Sequence, residues 1–132
     1  MLHILDIKTI QRTEFQDVTH LVRQAVNKSG IQCGVCYLFV PHTTAAIMVN
    51  ENADPDVMTD IAAGLDRAVP LYADYRHGEG NSAAHIKSMM VGHTGTLFIE
   101  NGDLVLGTWQ GIFFAEFDGP RSRKLYVKII PC

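Results

Sequence analysis

The chain has 132 residues, 47% of them hydrophobic, and a formal charge of -3, which is enough for one domain with a real core and too little to expect two. With no basic run in the sequence, nucleic acid and anionic membrane surfaces are poor partners, and small molecules or other proteins are the expected ones. No uncharged apolar segment approaches the ~20 residues that span a bilayer, and Met1-Leu-His-Ile-Leu-Asp6 lacks the basic start and apolar run of a signal peptide, so the expected compartment is the cytosol.

Leu2 to Ile10 is rich in aliphatic and β-branched residues and predicts a first strand. Thr13-Glu-Phe-Gln16 matches a capping box, and Val18, Leu21, Val22, Ala25 and Val26 then follow the i, i+3, i+4 rule up to Gly30, predicting an amphipathic helix. His20 lies off that stripe and reads as solvated. Ile31 to Val40 predicts a strand, ended by Pro41. Within it, Cys33-Gly-Val-Cys36 fits the C-x-x-C pattern, but on a strand residues 33 and 36 point to opposite faces. The three cysteines cannot all pair within one chain, and a cytosolic domain of this size favours reduced thiols, so Cys33 and Cys36 are expected as small core residues. After His42-Thr43-Thr44, Ala45 to Asn50 predicts another strand. Asp54-Pro55 is a strong helix start, Val57, Ile61 and Leu65 line one side of that helix, and Pro70 closes it.

Tyr72 to Gly80 reads as a polar loop, the kind of segment that often carries binding groups. From there His77, His85 and His93 recur at equal intervals of eight. On one helix an eight-residue step turns about 80° off register, so the even spacing does not by itself gather three rings on one face. Asn81 or Ser82 can cap a short helix, Ala83 to Val91, which Gly92 stops. His77 then lies before the helix, His85 on its first turns and His93 beyond its end. A metal shared by any of them needs a group from elsewhere, and His42 is the obvious one. Thr96 to Glu100, Asn101-Gly102 and Asp103 to Leu106 form an Asn-Gly hairpin. Gly111 to Phe117 and Lys124 to Ile130 add two strands around the Asp118-Gly-Pro-Arg121 turn. The order predicts a single α+β domain over residues 1–132, a largely antiparallel sheet or sandwich with two to three packed helices.

Four constellations carry chemistry. His42 stands at a strand end beside two hydroxyls and can ligate metal or transfer protons. His77 and His85 flank Asn81. Glu116 is one carboxylate in the apolar Ile112-Phe-Phe-Ala-Glu-Phe117; alternation puts it on the face of Ile112 and Phe114, where it needs a partner unless that face is wet. Asp118-Gly-Pro-Arg121-Ser-Arg123 can hold a phosphate through guanidinium groups and turn amides.

His42-Thr-Thr-Ala-Ala, Asn50-Glu-Asn-Ala-Asp-Pro55, Ala84-His85-Ile-Lys87, Gly102-Asp-Leu-Val-Leu-Gly-Thr-Trp-Gln110 and Glu116-Phe-Asp-Gly-Pro-Arg121 together resemble the YjbQ family over nearly the whole chain. The resemblance implies a compact α+β homotrimer and a secondary thiamine-phosphate synthase activity, which joins a pyrimidine-methyl diphosphate to a thiazole phosphate and releases pyrophosphate. Carried over by position, it implies His42, His77 and His85 as ligands of a divalent metal, zinc or magnesium. It adds Glu116 and His42 as catalytic groups, and Asn81, Trp109, Gln110 and Arg121 as contacts to a phosphorylated small molecule, with Lys87 a further cation for the charge on the leaving pyrophosphate. His3, His20, His93 and the cysteines lie outside its pattern. Two other readings stand beside it. One is a zinc hydrolase with Glu116 as general base on bound water, and the other a non-catalytic trimer that binds a metal or small anion.

Overall fold

The computed structural model describes all residues, 1–132. Two antiparallel sheets and three helices build an α+β sandwich. The strands are β1 (Leu2–Lys8), β2 (Glu14–Asp17), β3 (Gly34–Phe39), β4 (Ala45–Glu51), β5 (Thr94–Glu100), β6 (Asp103–Leu104), β7 (Gln110–Glu116) and β8 (Ser122–Pro131). The helices are α1 (Thr19–Ser29), α2 (Pro55–Ala68) and α3 (Ser82–Val91). The five-stranded sheet runs β1-β8-β3-β5-β6 and the three-stranded sheet β2-β7-β4. No helix is long and apolar enough to cross a membrane.

Alternation places the core. Leu125, Val127 and Ile129 of β8, Cys36 and Leu38 of β3, and Leu97 and Ile99 of β5 are buried in one cluster with Ile47 of β4, Ile112 and Phe114 of β7, and Val22, Ala25 and Val26 of α1. A smaller cluster of Ala46, Ala84, Ala115 and Phe117 packs α3 on the other side of the three-stranded sheet. β7 is therefore covered on both faces, which is why Gly111 to Phe117 is apolar at every position but Glu116. The Asn101-Gly102 turn forms as expected, with φ of 53° and 77° at its two residues.

Two expectations need correction. Thr13 to Gln16 does not cap a helix: Glu14–Asp17 is β2, paired with β7, and α1 begins only at Thr19, where the Asp17 carboxylate accepts from the Thr19 N–H. The Glu14 carboxylate does reach back to backbone amides, those of Ile10 and Gln11, so the box-like spacing serves a turn before a strand. The second concerns the thiols: Cys33 and Cys132 form a disulfide, because the β3–β8 register sets Gly34 opposite Pro131 and brings the flanking residues to a Cα separation of 5.7 Å. Cys36 alone is free, and it is buried in the core as expected, with burial pushing its thiol up to about 11. By contrast α2 forms as expected, starting at its cap with Asp54 accepting from the Asp56 N–H, and Val57, Ile61 and Leu65 are half-buried along one side.

Gly119 lies on the tight β7–β8 connection, where a Cβ would stand 2.2 Å from the Gln11 carbonyl oxygen and 2.9 Å from Glu116 Cγ. Gly119→Ala should cost about 1 to 3 kcal/mol, the usual range for overpacking, read as a lower midpoint in chemical denaturation. An unchanged midpoint would show that this connection is free to shift.

Candidate functional site

Three segments meet at one end of the sandwich. Pro41 to Thr44 leaves β3, His77 to His85 leads into α3, and Asp118 to Arg123 joins β7 to β8. Between them opens a cleft of about 490 Å³ whose lining, apart from Pro41, is polar throughout. His42, His77, His85, Asn81 and Arg121 all face it, as the sequence implies, and Thr43, Thr44, Glu79, Asp118 and Arg123 join them.

Each side chain is held by identifiable bonds. His42 Nε2 accepts the Lys124 backbone N–H at 2.8 Å, so its lone pair is committed to β8 and the neutral ring carries its proton on Nδ1. Burial and the Arg123 charge push this imidazole below the ordinary histidine value, against the opposing pull of Glu116. His42 is thus a neutral ring that offers the cleft an Nδ1–H donor. His77 and His85 stand edge to face with their ring centroids 5.4 Å apart, and Glu79 Oε2 lies 3.8 Å from His77 Nε2. Asn81 spends nothing on capping α3: its Nδ2 donates to Asp118 Oδ2 at 2.8 Å, while its buried Oδ1 has no partner. Arg121 donates to the other side of the turn, from Nη2 to Asp118 Oδ2 and from Nε to the Asp118 carbonyl oxygen. Burial alone would raise Asp118, but the bonds from Asn81 and Arg121 hold its carboxyl below the ordinary aspartate range.

Glu116 is placed differently from its expected role as a base. It is fully buried between the sheets and its two oxygens are saturated: Arg123 donates through Nε and Nη2, Thr9 through its hydroxyl and Asp118 through its backbone N–H. Burial works to raise its carboxyl, yet these donors keep it below the ordinary glutamate range. A carboxylate that accepts four hydrogen bonds away from the cleft has no lone pair for a substrate proton. Its work is to orient Arg123, whose Nη2 also donates to Thr44 Oγ1 at 2.8 Å and so fixes the cleft floor. The alternation of Leu125, Val127 and Ile129 already puts Arg123 on the inner face of β8, the one signal that pairs it with Glu116.

Three further expected contacts lie elsewhere in the chain. Lys87 is buried in an ion pair with Asp66 of α2 and opens onto a separate cleft with Arg12 and Phe117. Gln110 pairs with Glu51 at the end of β7 opposite Glu116, and a seven-residue strand carries it and Trp109 about 20 Å from the cleft. His93 contributes its carbonyl to the Val40 N–H and lines neither the cleft nor its neighbour.

The metal expectation can be tested on the donor set. A three-histidine zinc site needs a free lone pair on each ring. His42 has none, since one nitrogen accepts a backbone amide and the other is protonated. No group of three or more histidine, cysteine or acidic side chains is arranged to hold a metal ion. His42, held by the Lys124 amide, is therefore not available as the third imidazole of such a site.

With this geometry in place, comparison with known proteins becomes specific. The family model described as "UPF0047 protein YjbQ-like" matches residues 3–132. The chain belongs to the YjbQ family. A UPF0047 protein of Methanocaldococcus jannaschii is 52% identical over 130 residues, covering 98% of this chain and 94% of its own. YugU of Bacillus subtilis is 49% identical over 131 residues, covering 98% and 99%. Among solved structures, an uncharacterised YjbQ/UPF0047 protein of Clostridium acetobutylicum is similar at a TM-score of 0.95 with 54% identity, covering 97% of this chain and 99% of that one. A YbjQ-like protein of unknown function from Sulfolobus solfataricus matches at 0.95 with 35% identity, covering 100% and 97%. The α+β fold is thus shared across the family, and none of these relatives is named for an activity.

Proposed function

We propose that the chain is a transferase for phosphorylated heterocycles, working at the histidine cleft as a thiamine-phosphate synthase of the kind the family resemblance implies. One observation carries the reading: a polar cleft that converges three imidazoles, two guanidinium groups and an amide at one end of a rigid sandwich. In the reaction, the thiazole ring nitrogen gives its lone pair to the methylene carbon of the pyrimidine diphosphate. The C–O bond to the diphosphate breaks, and its electron pair leaves on pyrophosphate oxygen. No proton need be removed from the new quaternary nitrogen, so a general base is not required and the buried state of Glu116 is no obstacle. What the step needs is stabilisation of charge on the leaving group. Arg121, the His42 Nδ1–H and the ring N–H groups of His77 and His85 are the donors positioned to supply it. The lining guanidinium groups and the carboxylates of Glu79 and Asp118 balance in number, so affinity for a diphosphate rests on these directed bonds rather than on net charge.

The test is direct. Purified protein given the pyrimidine-methyl diphosphate and the thiazole phosphate should form thiamine phosphate and pyrophosphate in equal amounts, and Arg121→Ala should reduce the rate. Absence of product, together with no measurable binding of inorganic pyrophosphate, would overturn the reading. The zinc-hydrolase alternative would need a free lone pair on His42 and a general base other than the saturated Glu116.

A homotrimer belongs to the same proposal. The outer face of the five-stranded sheet exposes Leu2, Ile4, Tyr37, Phe39, Phe98 and Ile130, and the strand register sets Ile4, Tyr126 and Phe39 in one row. Contiguous apolar surface of this kind marks an interaction site. Light scattering at micromolar concentration should report three chain masses, and Phe39→Lys should shift that value downward. A monomeric wild-type protein would count against the assembly.

A further inference from the structure

The segment that carries Trp109 is as firmly built as the cleft, yet it lies at the other end of the sandwich. The Trp109 carbonyl accepts the Asn52 N–H at 3.0 Å, and Gln110 Oε1 accepts the Gly107 N–H at 2.8 Å. Asn52 packs so tightly on Gly111 that a Cβ there would stand 2.6 Å from its Nδ2. This platform holds the chain's one tryptophan 64% exposed, and beside it Glu51 and Asp54 stand in no ion pair. The cleft end has the opposite surplus. Arg12, whose charge reaches Asp118, and Arg76, next to His77, also stand in no ion pair. β4 and β7 run between the two ends, pairing Ala45 with Glu116 beside the cleft and Glu51 with Gln110 at the platform. That ladder is rigid, so no chain can bring its own platform to its own cleft.

We infer that the platform of one chain closes the histidine cleft of the next, so that each cleft in the assembly is built from two copies. The inference rests on the homotrimer proposed above and adds how its ring closes. A closed three-fold ring joins unlike surfaces, each chain offering one patch to the neighbour on one side and a different patch to the neighbour on the other. Platform and cleft end are such a pair, because Glu51 and Asp54 meet the unpaired Arg12 and Arg76 with opposite charge. The apolar outer face of the five-stranded sheet leads to the same contact. Its register sets Ile130, Val35 and Phe98 in one row, Val105 is bonded to Phe98, and Trp109 follows four residues on. A tryptophan seated in a pocket is a common anchor of an interface. Here its ring gives the polar cleft an apolar wall and excludes water from it, while the Nε2 of Gln110 adds a hydrogen-bond donor.

Because Trp109 is the only tryptophan, its fluorescence reads this contact directly. In the wild-type trimer its emission should be blue-shifted and protected from acrylamide relative to free N-acetyltryptophanamide. A trimer whose Trp109 is as open to acrylamide as the free compound would overturn the inference and leave the homotrimer standing. Titration with inorganic pyrophosphate should then change the emission until the clefts are filled, and Arg121→Ala should not respond at concentrations that saturate wild type. The decisive sample is a mixed ring, co-expressed from Trp109→Phe and Arg121→Ala chains and purified through two different tags. Any ring holding both chains contains one junction at which the intact cleft of a Trp109→Phe chain meets the Trp109 of an Arg121→Ala chain, so the response should return. Mixed rings that stay silent while wild type responds would show that Trp109 senses only its own chain's cleft, which overturns the inference. Calorimetric binding of pyrophosphate to wild type with no change in emission would overturn it too, with the phosphate cleft intact. If pyrophosphate binds no form of the protein, the phosphate reading falls and the acrylamide result alone decides the contact. A monomeric wild-type protein would remove the homotrimer and the shared cleft together.

Discussion

Glu116→Ala should lower the free energy of unfolding by about 3 to 5 kcal/mol, the range for breaking a buried ion pair from one side. The cause is less the lost attraction than the group left behind. Arg123 is 5% exposed, and without Glu116 its charge would sit between the sheets with only the Thr44 hydroxyl and carbonyl as acceptors. Thr9 and the Asp118 N–H would lose their acceptor as well. Pairing Glu116→Leu with Arg123→Met should therefore recover much, but not all, of the loss, because the Thr9 hydroxyl and the Asp118 amide remain unpaired. The pH dependence has a definite sign. The folded-state value of Glu116 lies below its unfolded one, so its contribution to stability is complete above the unfolded value and drains away as pH falls towards the folded one. Wild-type protein should lose stability across that acidic window, and Glu116→Ala should show a shallower slope there. Denaturation midpoints measured from neutral to acidic pH check both statements. A loss below about 1 kcal/mol with an unchanged slope would mean that the pair is solvated in solution.

This role for Glu116 also marks how far the sequence can be read. Alternation along Ile112 to Phe117 correctly placed the carboxylate among inward-facing residues in need of a partner, yet alternation within one strand cannot say which opposing element supplies that partner. The hydrogen-bonded register of β1 and β8, set by pairing far apart in sequence, brings Thr9 and Arg123 to it. The same limit explains the disulfide: Cys33 and Cys132 are 99 residues apart and meet only because β3 and β8 are neighbours. Local signals succeeded where local physics decides, as at the Asn101-Gly102 turn and the Asp54-Pro55 helix start. They failed at Thr13 to Gln16, whose capping-box spacing was overridden by pairing with the central strand β7. Of the site, His42, His77, Asn81, His85 and Arg121 converge as their motifs imply. Trp109 and Gln110 lie a strand's length from the cleft, and Lys87 is turned to Asp66 and a different cleft, placements that no motif encodes.

His85→Ala should cut turnover by about 10²- to 10⁴-fold, the usual worth of a positioned acid–base group, while His93→Ala stays within about twofold of wild type. The two residues are equally spaced in the histidine series, but only His85 lies in the Ala84-His85-Ile-Lys87 segment, and their placement in the fold differs accordingly. His85 lies on the first turns of α3 with its ring against His77, lining the cleft. His93 follows the Gly92 stop, where the chain has left the helix, and its backbone rather than its ring is engaged, bonding β3 at Val40. Neither change should unfold the chain: α3 is anchored through the buried residues Ala83, Ala84, Lys87 and Ser88, and His85 is not among them. Thermal melting of both variants should accordingly stay close to wild type, which makes a loss of turnover attributable to the cleft. The split between kcat and KM is informative as well. A proton donor to the leaving group affects kcat, whereas a residue that only shapes the cleft wall raises KM. Equal losses in the two histidine variants would return the evenly spaced triad to consideration. A His85→Ala protein with wild-type kcat would show that the leaving group departs without an imidazole proton, and that Arg121 and the His42 Nδ1–H are sufficient.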